Sequence, residues 1–175
     1  MAIVSGAGSA PSDVHNGRAR LTGSFTVKLR IVSAGPYRNQ RYTVGWAFVP
    51  GCDSGACSVR VSTLASSCVS GSCAEPPSFL EYADEPLTLT ATTYRGSFTI
   101  KAGCSTGTSS YPYGYKQHTS LLLHPTSGGT VASQTQVKTF KGTLELRGTP
   151  APGYASSGCA PYTLKLSFVG TSQTN

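Results

Sequence analysis

Apolar and polar residues alternate along most of this chain with a period of two, the pattern of β-strands that bury one face. In the clearest run, Phe25 to Ile31, apolar side chains at odd positions alternate with Thr26, Lys28 and Arg30. This pattern predicts a strand with one buried face and one solvated face. No segment combines a sustained 3.6-residue apolar period with helix caps, so we expect little helix.

Further runs of the same kind follow, separated by clusters of Gly, Pro and Ser. They predict strands over 42–48, 59–61, 87–94, 97–101, 117–123, 136–140, 143–147 and 162–169. The dipeptide Arg95-Gly96 separates two of these runs and predicts a tight hairpin between them. The fold class that follows is all-β: an antiparallel β-sandwich of roughly nine strands with disulfide-stapled turns, or, as the alternative, a closed β-barrel.

The 175-residue length fits one domain with a sizeable core. Residues 1–20 are small, polar and rich in Gly, which predicts a flexible N-terminal lead-in. We therefore expect a single all-β domain over residues 21–170 and a short C-terminal tail over 171–175.

Six cysteines stand in a pattern typical of a disulfide framework. The phrase C-x-S-G-x-C occurs twice, at Cys52–Cys57 and at Cys68–Cys73, and only Cys104 and Cys159 remain. An even count predicts disulfides and an oxidising compartment, so we expect a secreted or cell-surface protein. The first phrase lies between two predicted strands, where Ser54-Gly55 suits the tight end of a hairpin. If Cys104 pairs with Cys159, the longer ring stabilises more; other connectivities stay open.

The chain carries a formal net charge of +7, although only 12% of its residues are charged. A positive balance indicates attraction to anionic surfaces such as wall polymers or acidic polysaccharide. No nucleic-acid-binding motif accompanies the charge, so we expect no nucleic-acid partner. No run approaches the roughly 20 apolar residues of a membrane span, so we expect no membrane insertion.

Several short motifs carry a family resemblance. They are YTVGWAFVPGCDSGACSVRV at 42–61, YRG at 94–96, GTL at 142–144 and GC at 158–159. Over about residues 22–169 the chain resembles the secreted β domains of actinobacterial surface proteins, which often follow Ser/Thr/Pro-rich linkers. The resemblance implies a bacterial extracellular β domain and brings no catalytic residue with it.

Three short matches to hydrolase motifs lack the partners that their chemistry needs. Asp53-Ser54-Gly55 is similar to the nucleophile loop of trypsin-like proteases, but His15 is the only histidine that precedes it. Gly103–Gly107 fits G-x-S-x-G without the α/β pattern of that elbow. The acidic residues of 81–85 suit a glycosidase pair or a calcium ion, or they simply face water. We therefore expect no enzyme, with a secreted hydrolase as an alternative.

The most suggestive segment is Tyr111-Pro-Tyr113-Gly-Tyr115-Lys116-Gln-His118. Alternate tyrosines separated by Pro and Gly do not all enter a core easily, and rings exposed on a rigid loop suit stacking on sugars or anchoring a protein. The sequence predicts a ligand-binding loop made of Tyr111, Tyr113, Tyr115, Lys116 and His118.

The expected function is therefore non-catalytic recognition of a glycan or an envelope protein at the cell surface. No cofactor and no metal are expected. His118 and His124 stand six residues apart, about 20 Å along a strand, which is too far to share a metal ion. The alternative is a structural module that associates with its own kind through the acidic 75–85 segment and a basic N-terminal region.

Overall fold

The structure is a computed structural model that describes residues 18–64, 67–69, 72–74 and 76–173, without the side chains of 67–69 and 72–74. Residues 1–17 of the lead-in predicted over 1–20 lie outside the described residues. Ten strands and two single-turn 3-10 helices make up the described chain, which confirms the all-β prediction. Their bounds are β1 (Gly23–Ile31), β2 (Arg41–Pro50), β3 (Val59–Thr63), β4 (Ser67–Val69), β5 (Ser72–Ala74), η1 (Ser78–Leu80), β6 (Glu85–Thr90), β7 (Thr93–Thr106), β8 (Ser109–Val131), β9 (Gln134–Pro150), η2 (Ala155–Ser157) and β10 (Tyr162–Ser172).

Eight strands form a closed hydrogen-bonded ring in the order β1-β10-β9-β8-β7-β6-β3-β2, and β2 pairs with β1 to complete it. Every neighbouring pair in the ring is antiparallel. β4 and β5 form a separate two-stranded sheet. The antiparallel prediction is confirmed, and the ring is consistent with the closed-barrel alternative, in which pairing all round removes exposed strand edges.

The period-two pattern decides which side chains fill the ring. In β1 the odd positions from Phe25 to Ile31 are buried, while Lys28 and Arg30 are exposed. The interior centres on Trp46, whose ring lies 5.1 Å from Phe168 and stacks at 13° on Phe140. Each fully buried aromatic of this kind stabilises the fold by about 1.5–3 kcal/mol through apolar area removed from water.

Short segments close the two ends of the ring. At one end Leu21 is fully buried, and Arg20 donates hydrogen bonds to the carbonyl oxygens of Cys52 and Asp53. At the other end η1 places Leu80 inside, held by a 2.7 Å hydrogen bond from the Thr63 hydroxyl to the Leu80 carbonyl. The interior is therefore filled and capped by side chains.

The prediction of a hairpin turn at Arg95-Gly96 is wrong. The turn lies at residues 91–92, where Ala91 has a positive φ of 54°, and Gly96 lies inside β7. A Cβ atom on Gly96 would come within 2.3 Å of the Leu87 side chain. The glycine therefore allows β6 and β7 to pack closely, which a sequence pattern does not distinguish from a turn.

The two strands predicted over 136–140 and 143–147 are one strand, β9. Gly142 lies between them and stays extended, because a Cβ there would come within 2.0 Å of the Leu122 carbonyl oxygen and 2.4 Å of the Phe168 ring. The glycine again marks close packing rather than a chain reversal. β10 also extends to Ser172, two residues past the predicted domain end.

Two disulfides are present among the described side chains. Cys52 pairs with Cys57 at the β2–β3 hairpin, where Gly55 takes the positive φ of 72° that its position suggested. Cys104 on β7 pairs with Cys159, 55 residues along the chain. The backbones of Cys68 and Cys73 face each other in the β4–β5 pair, but their predicted disulfide lies outside the described side chains.

Candidate functional site

The tyrosine segment predicted as a loop lies instead in the first half of β8. Its pairing with β7 is interrupted between Ala102 and Cys104, the stretch that faces Pro112 and Gly114. An irregularity of this kind tolerates a proline, which cannot donate to the ladder. The loop prediction is therefore wrong, and the tyrosines stand on a strand, a more rigid support than a loop.

Tyr113 is the most exposed of the three rings, with 65% of its surface accessible. The ammonium nitrogen of Lys101 lies 5.8 Å from the centre of the ring, within the range of a cation–π interaction. A ring that is exposed on a strand and flanked by a cation presents an apolar face to solvent at little conformational cost.

The other two rings are half-buried and held by partners. Tyr111 meets Tyr154 edge-on with centroids 5.2 Å apart, and Tyr115 meets Tyr162 at 4.9 Å. The Tyr115 hydroxyl donates a 2.9 Å hydrogen bond to the carbonyl oxygen of Ala160. Burial raises the pKa of Tyr115 above its ordinary value. The three tyrosines are therefore not equivalent, since only Tyr113 is largely free to meet a ligand.

Two adjoining depressions bring the predicted residues together with others. The first, which we call the tyrosine groove, has a volume of about 460 Å³ and is lined by Thr99, Ile100, Lys101, Tyr113, Tyr115, Lys116, Ala151, Pro152 and Tyr154. The second shares Lys116 with it and continues past His118 and Arg147. Four of the five predicted residues line one or the other. Tyr111 lines neither, and supports the groove through Tyr154.

Positive charge concentrates along these depressions. Lys101 and Lys116 are directly opposite each other across β7 and β8, and His118 is opposite Arg147 across β8 and β9. The two lysine charges, directly opposite each other, destabilise the sheet. No Asp or Glu lines either depression among the described residues. An anionic group bound there would relieve this repulsion.

Strand register supplies the residues that sequence reasoning missed. Lys101 lies on β7, Arg147 on β9 and Tyr154 immediately before η2, and only the fold brings these three residues beside β8. Lys101 stands at the end of a strand that the pattern did predict. The sequence pattern does not indicate that Lys101 is paired with Lys116 on β8. This pairing is what makes Lys101 part of the site.

Among the described residues, the fold does not bring catalytic partners to the hydrolase motifs discussed below. Ser54 lies inside the short Cys52–Cys57 ring, and His15 lies outside the described residues. Asp84 forms an ion pair with Arg60 at 2.7 Å. Among the described residues no three His, Cys, Asp or Glu side chains come close enough to hold a metal ion.

No family model, curated protein or solved structure matches this chain. The resemblance to actinobacterial surface domains therefore stays a prediction, and function is inferred from the residues themselves. In the described ranges, no helix has both the length and the apolar character needed to cross a membrane.

Proposed function

We propose that this protein is a non-catalytic extracellular recognition domain that binds glycan in the tyrosine groove. The observation that carries the proposal is Tyr113, 65% exposed on a strand beside Lys101. A sugar ring presents an apolar face of C–H groups, and an exposed aromatic ring on a rigid support stacks on such a face with little loss of entropy.

The surroundings of the groove support binding because they hold its walls in place before a ligand arrives. Tyr115 is fixed by its contacts with Tyr162 and Ala160. Cys104, which is opposite Tyr111 on the neighbouring strand, is tied to Cys159 by a disulfide. Walls that are ordered in the free protein reduce the entropic cost of association.

Charge narrows the class of glycan. Lys101 and Lys116 both line the groove together with the exposed ring, and no described carboxylate lines it. Cationic groups next to an aromatic platform favour sugars that carry carboxylate groups over neutral ones. We therefore expect acidic glycans, such as those containing uronic acid, to bind more tightly than neutral glycans of the same length.

The proposed location follows from sulfur chemistry. Disulfides such as Cys52–Cys57 and Cys104–Cys159 persist in oxidising surroundings, which cells provide outside the cytosol. A secreted or cell-surface setting is where envelope glycans are encountered. The self-association alternative rests on an acidic segment of which Asp84 already pairs with Arg60 in the same chain.

The test compares Tyr113→Ala with Tyr113→Phe on an array of acidic and neutral glycans. Loss of the ring should weaken binding about tenfold, because an anchoring aromatic contributes roughly 1–2 kcal/mol. Tyr113→Phe should keep most of the affinity, since the ring face and not the hydroxyl makes the contact. Thermal unfolding should place both variants close to the parent, because the side chain is mostly in water.

The control is Val49→Ala, which removes another exposed apolar side chain, 62% accessible, that lines neither depression. Its affinity should match the parent. Equal binding by Tyr113→Ala and the parent would reject the glycan site, as would the finding that only an envelope protein, and no glycan, is retained.

A further inference from the structure

A second concave surface crosses the outside of the ring, away from the tyrosines. It has a volume of about 580 Å³ and spans β2, β1, β10, β9 and β8. We call it the basic groove; its lining consists of Lys28, Leu29, Arg30, Arg41, Tyr42, Thr43, His124, Lys141, Gly142, Thr143, Ser167, Phe168 and Val169. Four of these residues are cations with exposed side chains: Lys28, Arg30, Arg41 and Lys141.

Strand register arranges these cations on both sides of a shared floor. Lys28 on β1 is opposite Val169 on β10, and Val169 is in turn close to Lys141 on β9 through the next pairing. Neighbouring strands lie about 4.8 Å apart, so the backbones of Lys28 and Lys141 are separated by about 10 Å. A spacing of this size admits one extended polymer chain between Lys28 on one side and Lys141 on the other.

In the next row along the strands, two arginines lie on the β1–β2 side and hydroxyl groups lie on the β10–β9 side. Arg41 is opposite Arg30, Arg30 is opposite Ser167, and Ser167 is opposite Thr143. Hydroxyl groups on the floor are ready donors to sulfate or phosphate oxygens, and guanidinium groups at the side bind the same oxygens in a bidentate manner. The rows together provide donors along the whole width of the groove.

The cations of the basic groove form none of the ion pairs found among the described residues, so their charges are available to an anionic ligand. The ion pairs among the described residues are Arg60–Asp84, Arg147–Glu145 and Lys165–Glu145, and none of them uses a groove cation. No Asp or Glu belongs to the described lining. The direct Arg30–Arg41 opposition costs stability in the absence of a ligand. Asn39 orients Arg30 by accepting two hydrogen bonds, at 3.1 and 2.6 Å.

A neighbouring depression lengthens the surface. It shares Thr143 with the basic groove and adds Arg95 and Lys165 to its border. Glu145 also borders it, although this carboxylate is already bound to Arg147 and Lys165. The continuation suits an elongated ligand better than a single small anion.

We propose that the basic groove binds a linear polysaccharide that carries sulfate or phosphate groups. The site is separate from the tyrosine groove and does not depend on it. His118, beside the tyrosine groove, and His124, in the basic groove, are six residues apart on β8, about 20 Å at the usual rise per residue. Substitutions in one groove can therefore be made without changing residues of the other.

The shape and chemistry of the groove favour a polysaccharide over other polyanions. Its two aromatic side chains offer no platform for stacking bases, because Phe168 is buried and Tyr42 is half-buried and packed against Phe79. Val169, 54% exposed, forms an apolar floor between Lys28 and Lys141 on which the C–H face of a sugar can rest. A concave surface also fits a chain better than the plane of a membrane.

The experiment uses the full chain and two probes with the same backbone, dextran sulfate and uncharged dextran. We expect the parent to bind dextran sulfate in a salt-dependent manner and to ignore dextran. The triple variant Lys28→Gln, Arg41→Gln, Lys141→Gln should bind at least about tenfold more weakly, and its plot of log affinity against log salt should be about two to three units shallower, because each lost ion pair removes about one released counterion.

A matched variant distinguishes the effect of the groove residues on binding from the effect of the lower net charge. Arg18→Gln, Arg38→Gln, Arg60→Gln removes the same three charges from residues that do not line the groove. Binding close to the parent supports the proposal. An equal loss in both triple variants would overturn it, and so would tighter binding of single-stranded DNA than of dextran sulfate at equal charge. Tyr113→Ala should weaken dextran sulfate binding much less than the triple variant of the basic groove does.

Footprinting on the unaltered protein keeps the test independent of how the triple variant folds. Bound dextran sulfate should protect Lys28 and Lys141 from acetylation by several-fold, whereas Lys101 and Lys116 beside the tyrosine groove should react more nearly as in the free protein. Protection confined to Lys101 and Lys116 would overturn the assignment of this ligand to the basic groove.

Discussion

Tyr162 donates its hydroxyl hydrogen bond to Oε1 of Gln117, a side chain that is completely buried inside the ring. The amide nitrogen of Gln117 in turn donates to the carbonyl oxygen of Phe79 at 2.9 Å and to the Thr119 hydroxyl at 3.1 Å. One buried amide thus joins β8 and β10 to η1, which closes this end of the ring. The ring of Tyr162 also supports Tyr115 in the tyrosine groove.

Tyr162→Phe should lower the free energy of unfolding by about 1–3 kcal/mol, because it leaves a buried acceptor on Gln117 without a donor. Burial raises the pKa of Tyr162 well above its ordinary value, so the hydroxyl remains a donor throughout the usual pH range. Urea unfolding at pH 7 measures the change. Tyr113→Phe removes a hydroxyl from an exposed ring and should cost almost nothing; equal losses in the two variants would contradict the role of this hydrogen bond.

The Cys104–Cys159 disulfide joins residues 55 positions apart in the sequence, against 5 for Cys52–Cys57. In the chain-entropy account, removing the long link by Cys104→Ala, Cys159→Ala should lower the free energy of unfolding by about 4 kcal/mol, and removing the short one by about 2 kcal/mol. Equilibrium urea unfolding of the two double variants gives both values. The long link should also matter for glycan binding, because Cys104 is opposite Tyr111 and Cys159 precedes Ala160, the acceptor for Tyr115.

The contrast between the two disulfides is the informative measurement. If removal of Cys52–Cys57 destabilises the protein as much as removal of the long link, loop length does not govern the effect. If the long link is removed and the glycan affinity is unchanged, the disulfide does not position the tyrosine groove.

How much of the fold the sequence predicts depends on how local each feature is. The alternation in β1 and the glycine turn between Cys52 and Cys57 are read from adjacent residues, and both are observed. In the sequence, Gly96 and Gly142 look the same as a glycine in a turn. In the structure they lie inside strands and allow Leu87 and Phe168, respectively, to pack closely against the backbone. Those contacts join distant parts of the chain, so no local pattern separates the two uses.

The candidate site shows the same limit. The exposed ring of Tyr113 lies in a segment that composition alone singles out, because Pro and Gly beside tyrosines are unusual for a core. Its companions Lys101 and Tyr154 are brought there by the pairing of β7 with β8 and by the position of η2. The basic groove likewise depends on register, since Lys28 and Lys141 are 113 positions apart in the sequence and two strands apart in the ring.

Glu145 provides a prediction about pH. Its carboxylate accepts a 2.6 Å hydrogen bond from Arg147 and lies 3.6 Å from the Lys165 ammonium nitrogen, and the Arg147 hydrogen bond above all lowers the pKa of Glu145 below its ordinary value of 4.5. A carboxyl group whose pKa is lower in the folded state stabilises the fold above pH 4.5, and this contribution disappears as the pH falls through the lowered pKa.

Glu145→Gln removes the ionisable group and keeps the shape of the side chain. The parent should therefore be more stable than the variant at pH 7, and the difference in the free energy of unfolding should shrink towards zero between pH 4.5 and the acid limit. Because the pair is at the surface, the difference at pH 7 should be small and should fall further in 1 M salt, where charges are screened over about 3 Å. Urea unfolding of both proteins from pH 7 to pH 3 measures it. Parallel stability curves across this range would mean that the ion pair contributes nothing, since every other titrating group is common to the two proteins.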